Sequence, residues 1–249
     1  MKALVVTAAG MSSRFSQSVN APTLKAIYHE GDPSKTIVNR LLSSMAGSFD
    51  LIVLVSGYKA NEMHDYLVEH IEPSVLAKTI EVQNPHFEDR GSGWSLYLAL
   101  RELVGRDVDY VLFSEGDLVL DGETLGKLCA CHEDVITVSP DPVEASKSVA
   151  LYFDLEGRPH YLYDTSHGTL RIDEPFTAVY SSGQVWGFAD VPKLFDVVGS
   201  LSEEQHSKTN LMVVNGYYET CQLGALKVEK FATWINCNTV HDYRRAFCE

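Results

Sequence analysis

Long apolar runs are missing from this chain: although 45% of its 249 residues are hydrophobic, none of the runs reaches the roughly 18 residues of a membrane helix. No membrane partner is expected. Cysteine is sparse and unpatterned. Cys129, Cys131, Cys221, Cys237 and Cys248 make an odd set without a Cys-x-x-Cys pair, which argues against a disulfide framework and leaves reduced, structural thiols. The nine histidines include no His-Glu-x-x-His pair, so a zinc enzyme is not expected. Cations are in the minority, with 20 Lys and Arg against 34 Asp and Glu and a net charge of −14. Such a field repels a polyphosphate backbone and disfavours a nucleic-acid partner. A single nucleotide asks for less, since a local pair of cations suffices. The start Met1-Lys-Ala-Leu-Val-Val6 passes straight into a strand without a leader-like segment, so the expectation is a cytoplasmic protein.

What the chain does have is concentrated near its beginning. Ala3 to Ala8 is a short unbroken apolar run, as expected of a central parallel strand covered on both faces. Ala8, Ala9 and Gly10 follow, small enough for a ligand to approach the backbone, and then Met11, Ser12, Ser13 and Arg14. Their amides, hydroxyls and guanidinium suit phosphate oxygens. Lys25 lies a short loop further on. No Gly-Lys-Ser/Thr follows and the three spaced glycines of a dinucleotide fold are absent, so this is neither a Walker loop nor a dinucleotide fingerprint. The same small residues also fit a plain tight turn.

Alternating elements continue the pattern. A helix is expected over 36–45 and a buried strand at 51–55, then a helix around 60–68 and a strand at 79–83. Gln83 ends that strand. Gly91-Ser-Gly-Trp-Ser95 opens another helix, where Gly91, Ser92, Gly93 and Ser95 read either as amides and hydroxyls facing a ligand or as an ordinary capped start. A strand at 110–113 delivers Glu115 and Asp117 at its carboxyl end, where α/β sheets hold ligands. Asp117 there can bind Mg²⁺ that bridges phosphate oxygens, or simply sit in a turn. A helix over 122–131 and a strand at 134–138 come next, and Pro140-Asp-Pro142 is the one internal break. Beyond it, 148–153 and 159–163 flank a turn as a hairpin, and a strand at 179–188, a helix at 192–198, an alternating strand near 225–230 and a terminal helix over 240–247 complete the chain. We expect one α/β domain over 1–249: a Rossmann-like, mostly parallel sheet flanked by helices, with an antiparallel part after residue 140.

Ala8-Ala-Gly-Met-Ser-Ser-Arg-Phe15 followed by Lys25 resembles the motif of the nucleotidyltransferases that include sugar-1-phosphate nucleotidylyltransferases and bacterial CTP:phosphocholine cytidylyltransferases. Ser12 stands where that family usually has a second Gly, and Pro22-Thr-Leu-Lys25 separates a Pro and a Lys that usually adjoin. Glu115-Gly-Asp117 is similar to the family's metal-binding Asp motif. Trp234-Ile-Asn-Cys-Asn-Thr239 is similar to its second metal motif, usually Trp-x-Glu-x-Asp-Thr, with both acids replaced by Asn236 and Asn238. The resemblance runs the length of the chain in motif order. It implies nucleotidyl transfer from an NTP, with CTP favoured, to a small phosphorylated or phosphonate acceptor. Arg14 and Lys25 would be catalytic and residues 8–13 would hold nucleotide. Gln83 would meet the base edge, with Gly91, Ser92, Gly93 and Ser95 along base and ribose. Asp117, Asn236 and Asn238 would hold Mg²⁺. It assigns residues 1–139 to the nucleotide and 140–249 to the acceptor, with Glu115, Trp186, Gly187, Tyr218 and Glu219 as candidate acceptor contacts. Tyr180, Tyr217 and Trp234 join Trp186 and Tyr218 either as core or as an aromatic box for a quaternary ammonium. The expected alternatives are a sugar-1-phosphate nucleotidylyltransferase, a glycosyltransferase with a similar nucleotide half, and a nucleotide-binding protein without catalysis.

Overall fold

The apolar run at the start forms β1 (Lys2–Thr7), and its alternation serves two cores at once. Leu4 and Val6 enter one hydrophobic layer, Ala3 and Val5 the opposite one. A strand covered on both faces has no reason to alternate in polarity, which is why the run is continuous. The structure, a computed structural model, describes residues 1–163, 168–221 and 223–248.

Around β1 the sheet is parallel. β2 (Leu51–Ser56) and β4 (Tyr110–Glu115) pair with β1 on either side, and β3 (Thr79–Gln83) extends the sheet beyond β2. The connections are helical: α1 (Ser13–Val19) and α2 (Ile37–Met45) lead to β2, α3 (Ala60–His70) and the short α4 (Pro73–Leu76) to β3, and α5 (Ser92–Leu103) to β4. β5 (Leu118–Leu120) and α6 (Gly122–Ala130) then precede β6 (Val135–Val138). α2 shows how little is needed locally: Thr36 accepts the Asn39 amide as N-cap, and Ile37, Val38, Leu41, Leu42 and Met45 form one buried stripe.

The second half enters the same sheet antiparallel. β7 (Ala150–Asp154) and β8 (Pro159–Leu162) form the hairpin, and the long β9 (Phe176–Phe188) pairs with β7 at its start. Its later residues slot between β4 and β6, antiparallel to both. α7 (Val191–Ser200), α8 (Glu203–His206) and α9 (Leu211–Tyr218) follow. β10 (Lys227–Lys230) pairs parallel to β6, β11 (Trp234–Asn236) pairs with β5, and α10 (Val240–Phe247) ends the described chain. The expected α/β architecture is the one observed. No helix among the described residues is long and apolar enough to cross a membrane.

The hairpin turn is held by one carboxylate. Asp154, 2% exposed, accepts the Arg158 amide at 2.8 Å, Arg158 Nε at 2.8 Å and His160 Nε2 at 3.1 Å. Burial pushes its pKa up, but these donors outweigh burial and hold it well below the ordinary 3.8. A carboxyl depressed on folding stabilises the fold fully above that ordinary value and loses its contribution as pH falls through the depressed one. The urea midpoints of the native protein and Asp154→Asn should therefore differ by a constant amount above about pH 5 and converge below it. A gap that widens towards acid would contradict this assignment.

Candidate active site

Because β1 and β4 run parallel in adjacent register, their carboxyl ends arrive together, with Thr7 opposite Glu115. The Gly116 amide bonds to the Thr7 carbonyl at 2.9 Å. A Cβ on Gly116 would lie 2.6 Å from that oxygen, so only glycine lets the two strand ends close. The chain after β1 is tied down as firmly, by Ala8 N to Val55 O at 2.8 Å and Tyr58 N to Ala9 O at 3.0 Å. A cleft opens above these ends, lined on one side by Thr7, Ala8, Ala9, Gly10, Ser12 and Lys25, on another by Glu115, Gly116 and Asp117, and on the third by Asn84, Phe87, Arg90, Gly91, Ser92 and Ser95. A shallower groove lined by Met11, Ser12, Ser13, Arg14 and Asn238 continues it past Lys25.

Ser12 has φ 54°, a left-handed conformation that glycine adopts freely and serine at a cost of about 1 kcal/mol. That explains the usual glycine of this motif, and here the hydroxyl is put to use, for Ser12 Oγ accepts the Lys25 amide at 3.2 Å. Ser13 and Arg14 sit on the first turn of α1 and not in the polar loop that the sequence suggested. Lys25 begins a short 3₁₀ turn anchored by buried Leu24. Its Nζ reaches Asp117 Oδ2 at 2.7 Å and Asn238 Oδ1 at 3.3 Å. Arg14 Nη2 donates to the same Asn238 oxygen at 3.0 Å, and Asn238 Nδ2 donates to Asn236 Oδ1 at 2.8 Å. The Cys237 amide bonds to the Asp117 carbonyl at 2.8 Å. Residues far apart in sequence thus meet in one cluster of two cations, one carboxylate and two amides.

Among the described residues Asp117 Oδ1 is enclosed and has no hydrogen-bond partner. An orphaned carboxylate oxygen beside this cluster fits a divalent cation. The Cys237 side chain is fully buried in the hydrophobic core, where burial and the nearby Asp117 charge push its thiol up to about 12. Among the described residues no three His, Cys, Asp or Glu side chains gather as a metal site, so phosphate oxygens and water would supply the remaining ligands. Glu115 is the second acid of the cleft. Its carboxylate accepts from the Asn210 side-chain amide and from Thr7 Oγ1 at 3.5 Å. Burial first, and the nearby Asp117 charge second, push it up to about 7.

The glycine turn before α5 has a different use from the expected one. Gly91 and Gly93 give their amides to the Ser207 and Lys208 carbonyls at 2.8 and 3.0 Å, and Ser92 Oγ accepts the Asn210 amide at 3.1 Å. Those amides are closed to a ligand. Gly91, Ser92 and Ser95 still line the cleft, but Gly93 does not, and the Ser95 hydroxyl accepts from buried Asn84 at 2.9 Å. Gln83 is exposed and outside the lining, because strand alternation turns it away and brings Asn84 inward.

Three expected acceptor contacts belong to the core. Trp186 is 1% exposed and stacked on Phe113 at 5.2 Å, since β9 is interior to the sheet. Gly187 lies beside it on the same buried stretch. Tyr218 is fully buried on α9, donating to the Val135 and Gly187 carbonyls. Tyr217 is buried with it, and Glu219 is exposed at the end of α9, outside the lining. The sequence reading missed Thr7, Asn84, Phe87, Asn210 and Arg90. Arg90 lies 3.7 Å over the Trp94 ring and pairs with Glu203 at 2.5 Å.

The fold is shared with solved nucleotidyltransferases at low identity. The inositol-1-phosphate CTP transferase of T. maritima superposes with TM-score 0.69 at 18% identity, over 97% of this chain and 91% of that one. The CTP:phosphocholine cytidylyltransferase of Streptococcus pneumoniae gives 0.61 at 16%, over 98% and 96%. A UDP-glucose pyrophosphorylase gives 0.72 at 12%, over 100% and 97%. No curated protein matches the sequence. One sequence family, described as a domain of unknown function (DUF6564), matches residues 21–248, a span that starts after the Gly10–Arg14 loop and takes in Lys25, Asp117 and both asparagines; the chain belongs to that family.

Proposed function

We propose that this protein is a Mg²⁺-dependent cytidylyltransferase, joining CMP from CTP to a small phospho- or phosphono-amino-alcohol and releasing pyrophosphate. The observation that carries the reading is the convergence of Arg14 and Lys25 on Asp117 and Asn238, at 2.7 to 3.3 Å, beside the small-residue loop after β1. An acceptor oxygen attacks the α-phosphorus, the new P–O bond forms, and the bond to the β-phosphate oxygen breaks. Such a reaction asks for alignment and neutralised charge more than for a proton shuttle. Arg14 and the amides and hydroxyls of Ser12 and Ser13 would hold the outer phosphates, and Lys25 would neutralise the α-phosphate. Asp117 would hold Mg²⁺, which supplies charge neutralisation between donor and acceptor.

The cleft favours a primary ammonium on the acceptor over a quaternary one. Among the described residues Phe87 is the aromatic residue of the lining; Trp186, Tyr217 and Tyr218 lie in the core, Trp234 gives its indole N–H to the Gly183 carbonyl at 2.9 Å, and Tyr180 is exposed outside the lining, which speaks against an aromatic box for choline. Glu115 lines the cleft and would face an ammonium group instead. The deciding measurement is pyrophosphate release with Mg²⁺ for each of the four NTPs, against phosphoethanolamine, 2-aminoethylphosphonate, phosphocholine, inositol 1-phosphate and glucose 1-phosphate. Release with CTP and an amino-alcohol phosphate or phosphonate is expected. Preference for UTP or dTTP with glucose 1-phosphate would move the protein to the sugar branch, and NTP binding without turnover on any acceptor would make it a binding protein.

Asp117→Ala should lower turnover by at least about a hundredfold. Since Asp117 is a cleft residue, its circular dichroism and melting curve should stay close to those of the native protein. Turnover within a factor of about three would remove Asp117 from the metal's ligands.

A further inference from the structure

We infer that Asn238 is a positioning residue for the two phosphate-loop cations and not a ligand of the divalent metal. The inference rests on the nucleotidyltransferase reading and changes how one part of that site works. Arg14 and Lys25 are donors only, so nothing but the amide oxygen of Asn238 can face them. That oxygen takes Arg14 Nη2 at 3.0 Å and Lys25 Nζ at 3.3 Å. The amide nitrogen must then point the other way, where it donates to Asn236 Oδ1 at 2.8 Å. Both amides are thereby fixed in orientation, each oxygen already engaged by a protein donor.

A carbonyl oxygen has two lone pairs, and both cations already use them. A divalent ion at about 2.1 Å from that oxygen would have to displace a cation while lying against the other. A carboxylate could hold metal and cation together, whereas a neutral amide offers no charge to offset three positive neighbours. Asp117 differs on each count, being charged and having Oδ1 enclosed and unpartnered.

The backbone around Asn238 is built for positioning. Asp242 Oδ2 accepts the Asn238 amide at 3.1 Å, the Thr239 amide at 2.8 Å and Thr239 Oγ1 at 2.8 Å. One carboxylate thus closes the turn and caps α10. Through this turn the exposed Arg14 side chain is held over the groove of Met11, Ser12 and Ser13 before any phosphate arrives, which lowers the ordering cost of binding. The two Asn residues replacing the family's acids therefore mark a transfer of duty. The second motif orders the cations, and the metal is left to Asp117 and the nucleotide.

Two binding measurements separate the roles without relying on turnover. Inorganic tripolyphosphate binding is measured by calorimetry in EDTA, and Mn²⁺ half-saturation by EPR with tripolyphosphate present. Asn238→Ala should weaken tripolyphosphate binding about tenfold in EDTA and leave Mn²⁺ half-saturation within about twofold. Asp117→Ala should give the mirror image, with Mn²⁺ weakened about tenfold or more and metal-free tripolyphosphate binding undiminished. Should Asn238→Ala fail to fold, Asn236→Ala releases only the amide that orients Asn238. It should weaken metal-free binding by about threefold with Mn²⁺ unchanged. Loss of Mn²⁺ affinity in either asparagine variant, with metal-free binding intact, would overturn the inference, as would a native protein that does not bind tripolyphosphate. Mirror-image results from a protein that releases no pyrophosphate from any NTP would uphold the positioning role and refute nucleotidyl transfer.

Discussion

Lys25→Ala is expected to lower pyrophosphate release by about a thousandfold, the upper range for one oxyanion-stabilising donor, while the protein stays folded. Two features of the structure bear on the size of that loss. Lys25 lies between Asp117 and the loop after β1, with 17% of its side chain exposed, so its charge acts in a partly dried cleft where solvent screens it less. Its backbone is also clamped by Ser12 Oγ, which fixes the point from which its ammonium reaches the cleft. The effect on stability should be near 1 kcal/mol, because the Lys25–Asp117 pair still touches solvent on both sides. Lys25→Arg should not restore the rate, since a planar fork cannot reproduce a compact ammonium at 2.7 Å from one carboxylate oxygen. The check is a steady-state assay together with a melting curve. Activity within tenfold of the native protein would remove Lys25 from the chemistry, and a melting point lowered by many degrees would assign it to the scaffold.

Gly91→Ala should produce a large loss of stability from a single methyl group. Gly91 has φ −73° and ψ 180°, a conformation alanine adopts without strain, so by backbone preference alone the substitution would stabilise the protein by about 0.4–1 kcal/mol. Packing reverses the sign. A Cβ there would stand 2.2 Å from the Lys208 carbonyl oxygen and 2.9 Å from that of Ser207, and backbone atoms cannot rotate aside. The cost should be about 3 kcal/mol, or roughly 6–12 °C in melting temperature for a chain of this length. Differential scanning calorimetry decides it: a raised melting temperature would mean that the 207–209 segment does not close on the turn.

The same turn marks a limit on what the sequence reveals. Two glycines and a serine before a helix announce a close approach, but not what approaches. Here it is the chain's own Ser207 and Lys208 carbonyls. The strands were legible because burial on both faces writes itself as the unbroken runs of β1, β2 and β4. The meeting of the loop after β1 with Asp117 was legible because parallel strands bring their carboxyl ends together whatever their sequence separation, whereas Lys25 entered only through the resemblance of its motif. By contrast α9, Leu-Met-Val-Val-Asn-Gly-Tyr-Tyr, is apolar nearly all round and carries Gly216, leaving no amphipathic period to read. Trp186 looked like a contact for an acceptor because nothing local reveals that β9 lies inside the sheet between β4 and β6, and Tyr218 because nothing local reveals that α9 is covered on that side. Asn210 and Arg90 carry no motif and acquire meaning only in three dimensions.

The late strap over the early turn also sets an order in time. Ser92 leaves the ribosome 118 residues before Asn210, its partner, an interval of roughly 6–24 s at ordinary elongation rates. Until then the Gly91 and Gly93 amides lack the carbonyls that will cover them, and Glu115 lacks the side-chain amide that caps it. The first half of the chain therefore emerges first yet cannot finish the cleft. A nascent chain stalled after β6 would hold the loop after β1 and Asp117 without the Asn210 side of the cleft, so synthesis of the second half acts as the licence for the first.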